Sequence, residues 1–258
     1  MLLPYFAYGL VIILIFYSNS PKAIYLNIQR LIIGGENLQG PLGVLWFISV
    51  LLVTQLVMGF ISRYNIYIQL SIITLFYIVG HIIAMTSLSQ IELPWKLSAV
   101  TGALFYYSMG YYLKNYIVKY VHNFKLIIPI FIFLIAFTFL YITLDFAFSI
   151  NLKTDVFDSL ILDAIIPILI SFLICSLSFF LSKVKVFNFL KWLGRNSITI
   201  MYLHLPINII IMRLLKSDYH DLLFVLFGVF ISLAFGLILS KIKFTKHLFI
   251  SPNISKNY

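Results

Sequence analysis

Apolar runs separated by short polar stretches recur along the whole chain, and eight of them approach the ~20 residues that a helix needs to cross a bilayer core. These predicted helices cover residues 2–17, 43–61, 66–85, 97–113, 126–150, 157–181, 197–215 and 222–240. The long polar stretch at residues 18–41 contains Pro21 and three glycines and is predicted to be a loop. The pattern therefore predicts an all-α bundle of about eight transmembrane helices, forming one domain over residues 1–258.

The composition supports this interpretation. Of the 258 residues, 62% are hydrophobic and only 10% are charged, and the mean hydropathy is +1.05, whereas soluble domains are about half apolar and a quarter charged. We expect an integral membrane protein, with membrane lipid as a partner. The single cysteine, Cys175, excludes an internal disulfide. The net charge of +10 indicates topology and contact with anionic lipid, so no nucleic-acid partner is expected.

Charge also predicts an orientation. If the loops alternate sides along eight spans, 12 of the 18 Lys and Arg residues fall on one side and 6 on the other. The acidic residues of the loops all fall on the second side: Glu36, Glu92, Asp155, Asp158, Asp218 and Asp221. The positive-inside rule makes the first side cytoplasmic, with both termini inside. We expect a multi-pass protein of a cell membrane, with a bacterial plasma membrane as the predicted location.

Polar groups inside the seventh predicted helix indicate a possible site. One helical face carries, at spacings of 4, 3 and 4, the residues Ser197, Met201, His204 and Asn208. Pro206 has no N–H, which frees the carbonyl of Tyr202 close to His204. A cavity lined by this polar stripe is one interpretation. A hydrogen bond between helices inside the bundle explains the same residues equally well.

Ionisable residues inside predicted helices are costly and are therefore functional candidates. They are His81, Asp145, Asp163 and His204. A second helical face is predicted to carry Tyr67, Thr74, either Tyr77 or Ile78, and His81.

The two histidines suit general-base or proton-relay chemistry, although a hydrogen bond from His81 to a Tyr or Thr of a neighbouring helix is an alternative. The two aspartates lie near helix ends, where solvated carboxylates are expected, and Pro167 frees the carbonyl of Asp163. No metal-ligand spacing, phosphate loop or nucleophile elbow is present, so neither a metal nor a bound cofactor is predicted.

Several stretches, taken in order, resemble the membrane-bound acyltransferase family 3, in particular its branch of fucose O-acetylases and polysaccharide O-acetyltransferases. They are Leu2-Leu-Pro-Tyr5, Gly43-Val-Leu-Trp46-Phe47, Leu93-Pro-Trp95, Phe105-Tyr-Tyr-Ser-Met-Gly110-Tyr-Tyr-Leu-Lys114 and Gly194-Arg-Asn-Ser197 continuing to Tyr202-Leu-His204. The resemblance covers nearly the whole chain. It also implies that the family has about ten core helices and that this sequence, which starts at what would be the third, lacks the first two. The family's catalytic histidine and arginines lie there, so the resemblance is compatible with an N-terminally truncated member, a mis-started reading frame or a pseudoenzyme.

The family resemblance implies transfer of an acetyl or other acyl group from cytoplasmic acyl-CoA to a hydroxyl of a cell-surface glycan or lipid-linked sugar. The acyl-CoA is a donor substrate and not a resident cofactor. We expect His204 to relay a proton or position the acceptor, supported by Ser197, Tyr202 and Asn208. Trp46 and Phe47 are predicted either to shape the site or to anchor the chain at the interface. His81 is a weaker candidate.

A second hypothesis is a non-enzymatic transporter or flippase-like protein for lipid-linked glycan or a small solute. Transporters also contain broken helices and buried polar stripes. Many of them consist of two repeated halves, and the sequence has no such internal repetition.

Overall fold

The computed structural model describes residues 2–86, 88, 91, 93–144, 148–216, 220–241 and 248–249, without the side chains of residues 36 and 240. This part of the chain is built almost entirely from helices. They are α1 Leu2–Tyr17, α2 Pro21–Ile33, α3 Leu45–Ile61, α4 Ile66–Met85, α5 Leu97–Tyr120, α6 Phe124–Thr143, α7 Leu160–Leu181, α8 Asn188–Arg195, α9 Ser197–Leu215 and α10 Asp221–Lys241. A short antiparallel ribbon joins β1 (Ile150–Asn151) to β2 (Val156–Phe157).

The predicted all-α membrane bundle is confirmed. Each of the eight apolar runs contains a helix, and six helices in the described part are long and apolar enough to cross a membrane. They include α4, α6, α7 and α9 in full, α10 as far as Leu239, and α3 together with the turn that precedes it. The 16-residue α1 is shorter, and α5 carries Lys114 and Lys119 in its second half. The exact number of spans and the cytoplasmic termini stay predictions.

The prediction of a loop over residues 18–41 is wrong, because this stretch contains α2. The side chain of Ser20 accepts a hydrogen bond from the backbone N–H of Ala23 and caps the helix, and Pro21 occupies its first turn. Gly34 ends the helix with a φ of 67°. The sequence of α2 is mixed in polarity because the helix is amphipathic, and its buried side includes Asn27 and Leu31.

Other boundaries also differ from the apolar pattern, and two of them flank residues 144–159. The fifth predicted helix, 126–150, ends at Thr143 in α6, and the sixth begins at Leu160 instead of residue 157. Residues 150–157 contain the ribbon, in which Ile150 pairs with Phe157. Hydrophobicity alone does not distinguish a short apolar strand from the end of a helix.

The chain divides into two compact units by its internal contacts. The first unit comprises Met1–Leu52, Pro94–Lys96 and Trp192–Tyr258, and the second comprises Val53–Leu93 and Leu97–Lys191. The core of the first unit is formed by α1, α2 and α9 with residues from the start of α3, including Tyr5, Tyr8, Leu31, Leu45 and Tyr202. The core of the second unit joins α3, α4 and α5 through Met58, Ile61, Ile73 and Leu104.

Candidate functional site

In the first unit, α9 and α10 pack closely because glycines line their contact. A Cβ atom at Gly228 would lie 2.8 Å from Nδ2 of Asn208, and one at Gly236 would lie 2.9 Å from Cγ2 of Thr199. Small residues allow the backbones of membrane helices to approach in this way.

Beside this contact, α9 and α10 form a shallow, open groove of about 340 Å³. Its lining from α9 consists of Ser197, Ile200, Met201 and His204, and its lining from α10 consists of Phe224, Val225, Gly228 and Val229. Ser197 and His204 are the polar side chains in this lining. The groove is therefore more apolar than the predicted polar stripe suggests.

The hydrogen bonds of His204 fix which ring nitrogen can act as a base. Nδ1 lies 3.1 Å from the carbonyl oxygen of Ile200 and 3.1 Å from that of Met201. Carbonyl oxygens only accept hydrogen bonds, so Nδ1 carries the hydrogen, and Nε2 of the neutral ring has the lone pair. No residue in the described part of the chain hydrogen-bonds to Nε2. His204 is half-buried and lines the groove, and the basic nitrogen of its ring has no hydrogen-bond partner among the described residues.

The other predicted residues of α9 lie in different environments. Ser197 is exposed and lines the groove with His204. Asn208 does not line it: its side chain is fully buried, and Nδ2 donates to the carbonyls of His204 at 2.7 Å and Phe224 at 3.1 Å. Asn208 therefore fastens α9 to α10. Tyr202 is buried against Tyr8, with the ring centroids 4.4 Å apart, and is also absent from the groove lining.

Trp46 and Phe47 lie in the first turn of α3, and neither belongs to the lining of the groove. Their ring centroids are 6.1 Å apart in an edge-to-face arrangement. Phe47 is 41% exposed and Trp46 is half-buried. The position of Phe47 suits the interfacial-anchor alternative better than contact with a substrate in this groove.

The second unit contains a buried pair between His81 on α4 and Asp163 on α7. Nε2 of His81 lies 3.1 Å from Oδ2 of Asp163, and the two residues are 3% and 0% exposed. The backbone N–H of Ser159 donates to the same oxygen at 3.1 Å. The interpretation of Asp163 as a solvated carboxylate is therefore wrong. Asp145 lies outside the described residues.

The predicted polar face of α4 is only partly buried. Tyr77 and His81 are buried, whereas Tyr67 and Thr74 are exposed, so the four do not form one interior stripe. The hydroxyl of Tyr77 donates to the carbonyl of Leu160 at 2.9 Å, which links α4 to the first turn of α7.

The carbonyl of Asp163, which Pro167 leaves without its helical N–H donor, accepts a hydrogen bond from another tyrosine. The hydroxyl of Tyr106 on α5 donates to it at 2.8 Å. Helices α4 and α5 thus both hold the N-terminal part of α7.

The geometry of the His81–Asp163 pair requires a proton between its two side chains. Nδ1 of His81 faces the carbonyl oxygen of Tyr77 at 3.0 Å and must donate to it. The hydrogen between Nε2 and Oδ2 then belongs either to an imidazolium beside a carboxylate or to a carboxylic acid beside a neutral imidazole. The pair is neutral overall in both forms. Because both nitrogens are bonded, His81 offers no free basic atom.

The comparison with known families decides what kind of protein this is. Residues 1–241 match the family model described as the acyltransferase domain. The chain belongs to the acyltransferase 3 family. This finding confirms the family resemblance, whereas the branch within the family and the absence of two preceding helices stay predictions. No curated protein and no solved structure matches the chain.

As a member of the acyltransferase 3 family, the chain is a multi-pass membrane protein with an acyltransferase domain. Acyl transfer to a hydroxyl needs a group that takes up the hydroxyl proton. In the described part of the family domain, His204 lines a groove and has an imidazole nitrogen without a hydrogen-bond partner. Both ring nitrogens of His81 are hydrogen-bonded. Among the described residues, no three His, Cys, Asp or Glu side chains come together as a metal site.

The His81–Asp163 pair is the feature that the sequence did not predict. The two residues are 82 positions apart, so no local spacing links them. One local signal was present: Ser159 caps α7, and its side chain accepts a hydrogen bond from the N–H of Leu162. An acidic residue in the turn after a serine cap is typical of a helix start, and it places Asp163 where α7 begins.

Proposed function

We propose that this member of the acyltransferase 3 family transfers an acetyl or other acyl group from cytoplasmic acyl-CoA to a hydroxyl of a cell-surface glycan or lipid-linked sugar. The family match supports the reaction class. The observation that carries the assignment of the site is His204 in the lining of the α9–α10 groove, with an Nε2 that has no hydrogen-bond partner in the described part of the chain.

In the proposed reaction, the acceptor hydroxyl donates a hydrogen bond to Nε2 of His204. The hydroxyl oxygen attacks the thioester carbonyl, a carbon–oxygen bond forms and the carbon–sulfur bond breaks. The hydroxyl proton passes to Nε2 and then to the departing CoA thiolate, so the products are an ester and the free CoA thiol. His204 thereby positions the acceptor and relays its proton.

The character of the groove suits such a reaction. Six of its eight lining residues have no polar side chain, which limits competition from water for the thioester. Nδ1 of His204 donates to the carbonyls of Ile200 and Met201, which holds the ring in one tautomer. In the neutral ring, Nε2 therefore carries no proton. A base with a fixed orientation is ready before the substrate arrives.

The proposed function predicts that the full chain, reconstituted in proteoliposomes, transfers label from acetyl-CoA carrying a radioactive acetyl group to a surface-glycan fraction. The product is expected to release labelled acetate in mild alkali, because it is an ester. One free CoA thiol is expected for each ester formed. Labelled glycan that resists alkali, or thiol release without labelled glycan, would contradict transfer to a hydroxyl. Movement of intact glycan across the bilayer without label would favour the transporter hypothesis.

A further inference from the structure

The second unit contains another groove, formed by α6 and α7, with a volume of about 350 Å³. Its α6 side is a regular helical face formed by Phe124, Ile127, Phe131 and Leu134. Its α7 side runs from Ile170 to Phe180, and Ser176 is its one polar residue. The hydroxyl of Ser176 donates to the carbonyl of Phe172, so the groove surface is effectively hydrocarbon. No side chain of α6 is buried.

The length of this groove corresponds to one bilayer leaflet. The ten steps from Phe124 to Leu134 rise about 15 Å along α6. The hydrocarbon core of a bilayer is ~30 Å thick, so the groove extends over about half of it. An acyl chain of one leaflet therefore has the right length and chemistry to lie along it.

One end of the groove is basic and aromatic. The rings of Phe124 and Phe180 are stacked there, with centroids 5.1 Å apart. Nζ of Lys183 lies 4.3 Å from the ring centroid of Phe179 and 5.7 Å from that of Phe180. This cation is thus held against the rings that close the groove.

Other charges strengthen this polarity. Lys125 follows Phe124 in the first turn of α6 and adds a second cation at this end. Asp158 and Asp163 lie at or near the start of α7, which is the opposite end of that helix. The basic end belongs to the side that the charge count predicts to be cytoplasmic, where anionic lipids attract Lys and Arg.

We propose that the α6–α7 groove binds an anionic glycerophospholipid, with one acyl chain along the groove and the phosphate at Lys183 and Lys125. Lys183 keeps its charge at the headgroup while its stem covers Phe179. The lipid site is independent of the proposed acyl transfer.

The test uses the full chain with equal amounts of phosphatidylglycerol and phosphatidylcholine that carry the same acyl chains. Native mass spectrometry counts each bound lipid. We expect the wild type to bind more phosphatidylglycerol than phosphatidylcholine. In Lys183→Met the ratio of the two bound lipids is expected to fall about fivefold, the effect of one lysine near a lipid surface. Lys153→Met, an exposed lysine beyond the other end of α7, is the matched control and is expected to keep the wild-type preference.

A second pair of variants tests the hydrocarbon contact separately from the charge. Ile127→Trp fills the groove and is expected to reduce retention of both lipids. Ile132→Trp, on an exposed part of α6 outside the groove lining, is expected to leave retention unchanged. An unchanged lipid preference in Lys183→Met, equal losses in Lys183→Met and Lys153→Met, or unchanged retention in Ile127→Trp would overturn the proposal. A lipid-free dimer of the wild type would also overturn it, because the groove would then serve as an interface between copies.

Discussion

Replacing His204 by glutamine is expected to slow acyl transfer by roughly 10²- to 10⁴-fold, the usual contribution of a positioned general acid or base. Glutamine is polar and can hydrogen-bond to an acceptor hydroxyl, but it does not take up the hydroxyl proton. Nδ1 of His204 donates to the carbonyls of Ile200 and Met201, which leaves Nε2 as the basic atom at the groove. The initial rate of ester formation at saturating acetyl-CoA measures the effect.

The matched control for this variant is His220→Gln. His220 is exposed, lies just before α10 and does not line the groove. We expect its rate to stay within about twofold of the wild type, since it has no part in the proposed proton transfer. A His204→Gln rate as high as that of the control would remove His204 from the mechanism.

Asp163→Ala is expected to destabilise the protein by about 3–5 kcal/mol, the range for removing one partner of a buried ion pair. The variant leaves Nε2 of His81 and the N–H of Ser159 without the oxygen that they now share. His81 is buried and Ser159 is half-buried, and unsatisfied polar groups in such places are costly. The free energy of unfolding, measured in mixed micelles with increasing denaturing detergent, checks the size of the loss.

Asp163→Asn keeps the shape of the side chain at position 163 but removes its ionisable carboxyl group. At the position of the oxygen that His81 and Ser159 share, the amide nitrogen can donate to Nε2 of His81 or the amide oxygen can accept from Ser159, but not both. We therefore expect a loss of about 1–3 kcal/mol, the cost of one unsatisfied polar group, and a smaller loss than in the alanine variant. Asp221→Ala, an exposed acid in the first turn of α10, is the control and is expected to cost less than about 1 kcal/mol. Equal losses for the Ala and Asn variants at position 163 would contradict the proton-sharing arrangement.

Most of the helices can be predicted from the hydrophobic pattern of the sequence, because a long apolar helix produces a long uninterrupted apolar run. Helices α4, α9 and α10 begin and end within about two residues of the predicted bounds. Helix α2 was missed because its 13 residues are mixed in polarity and its stability comes from packing, such as Leu31 against Gly9. The predicted length of α5 fell short for a similar reason, since its last two turns carry lysines and tyrosines.

The candidate site was predictable only where its residues lie on one helix. The spacing of Ser197, Met201 and His204 correctly indicated a shared surface, and all three line the groove. The fourth residue of that face, Asn208, turns into α10 because the approach at Gly228 brings the carbonyl of Phe224 within its reach. Such a contact depends on how two helices pack, and the spacing within one helix contains no information about it.

Carbethoxylation of the full chain with diethyl pyrocarbonate, followed by peptide mass spectrometry, tests the central claim most directly. The reagent attacks unprotonated imidazole nitrogens that it can reach. We predict modification of His204 together with the exposed His122 and His220, no modification of His81, and protection of His204 alone by the acceptor glycan. An unmodified His204, or one that reacts equally with and without acceptor, would contradict an available Nε2 at the site of acyl transfer.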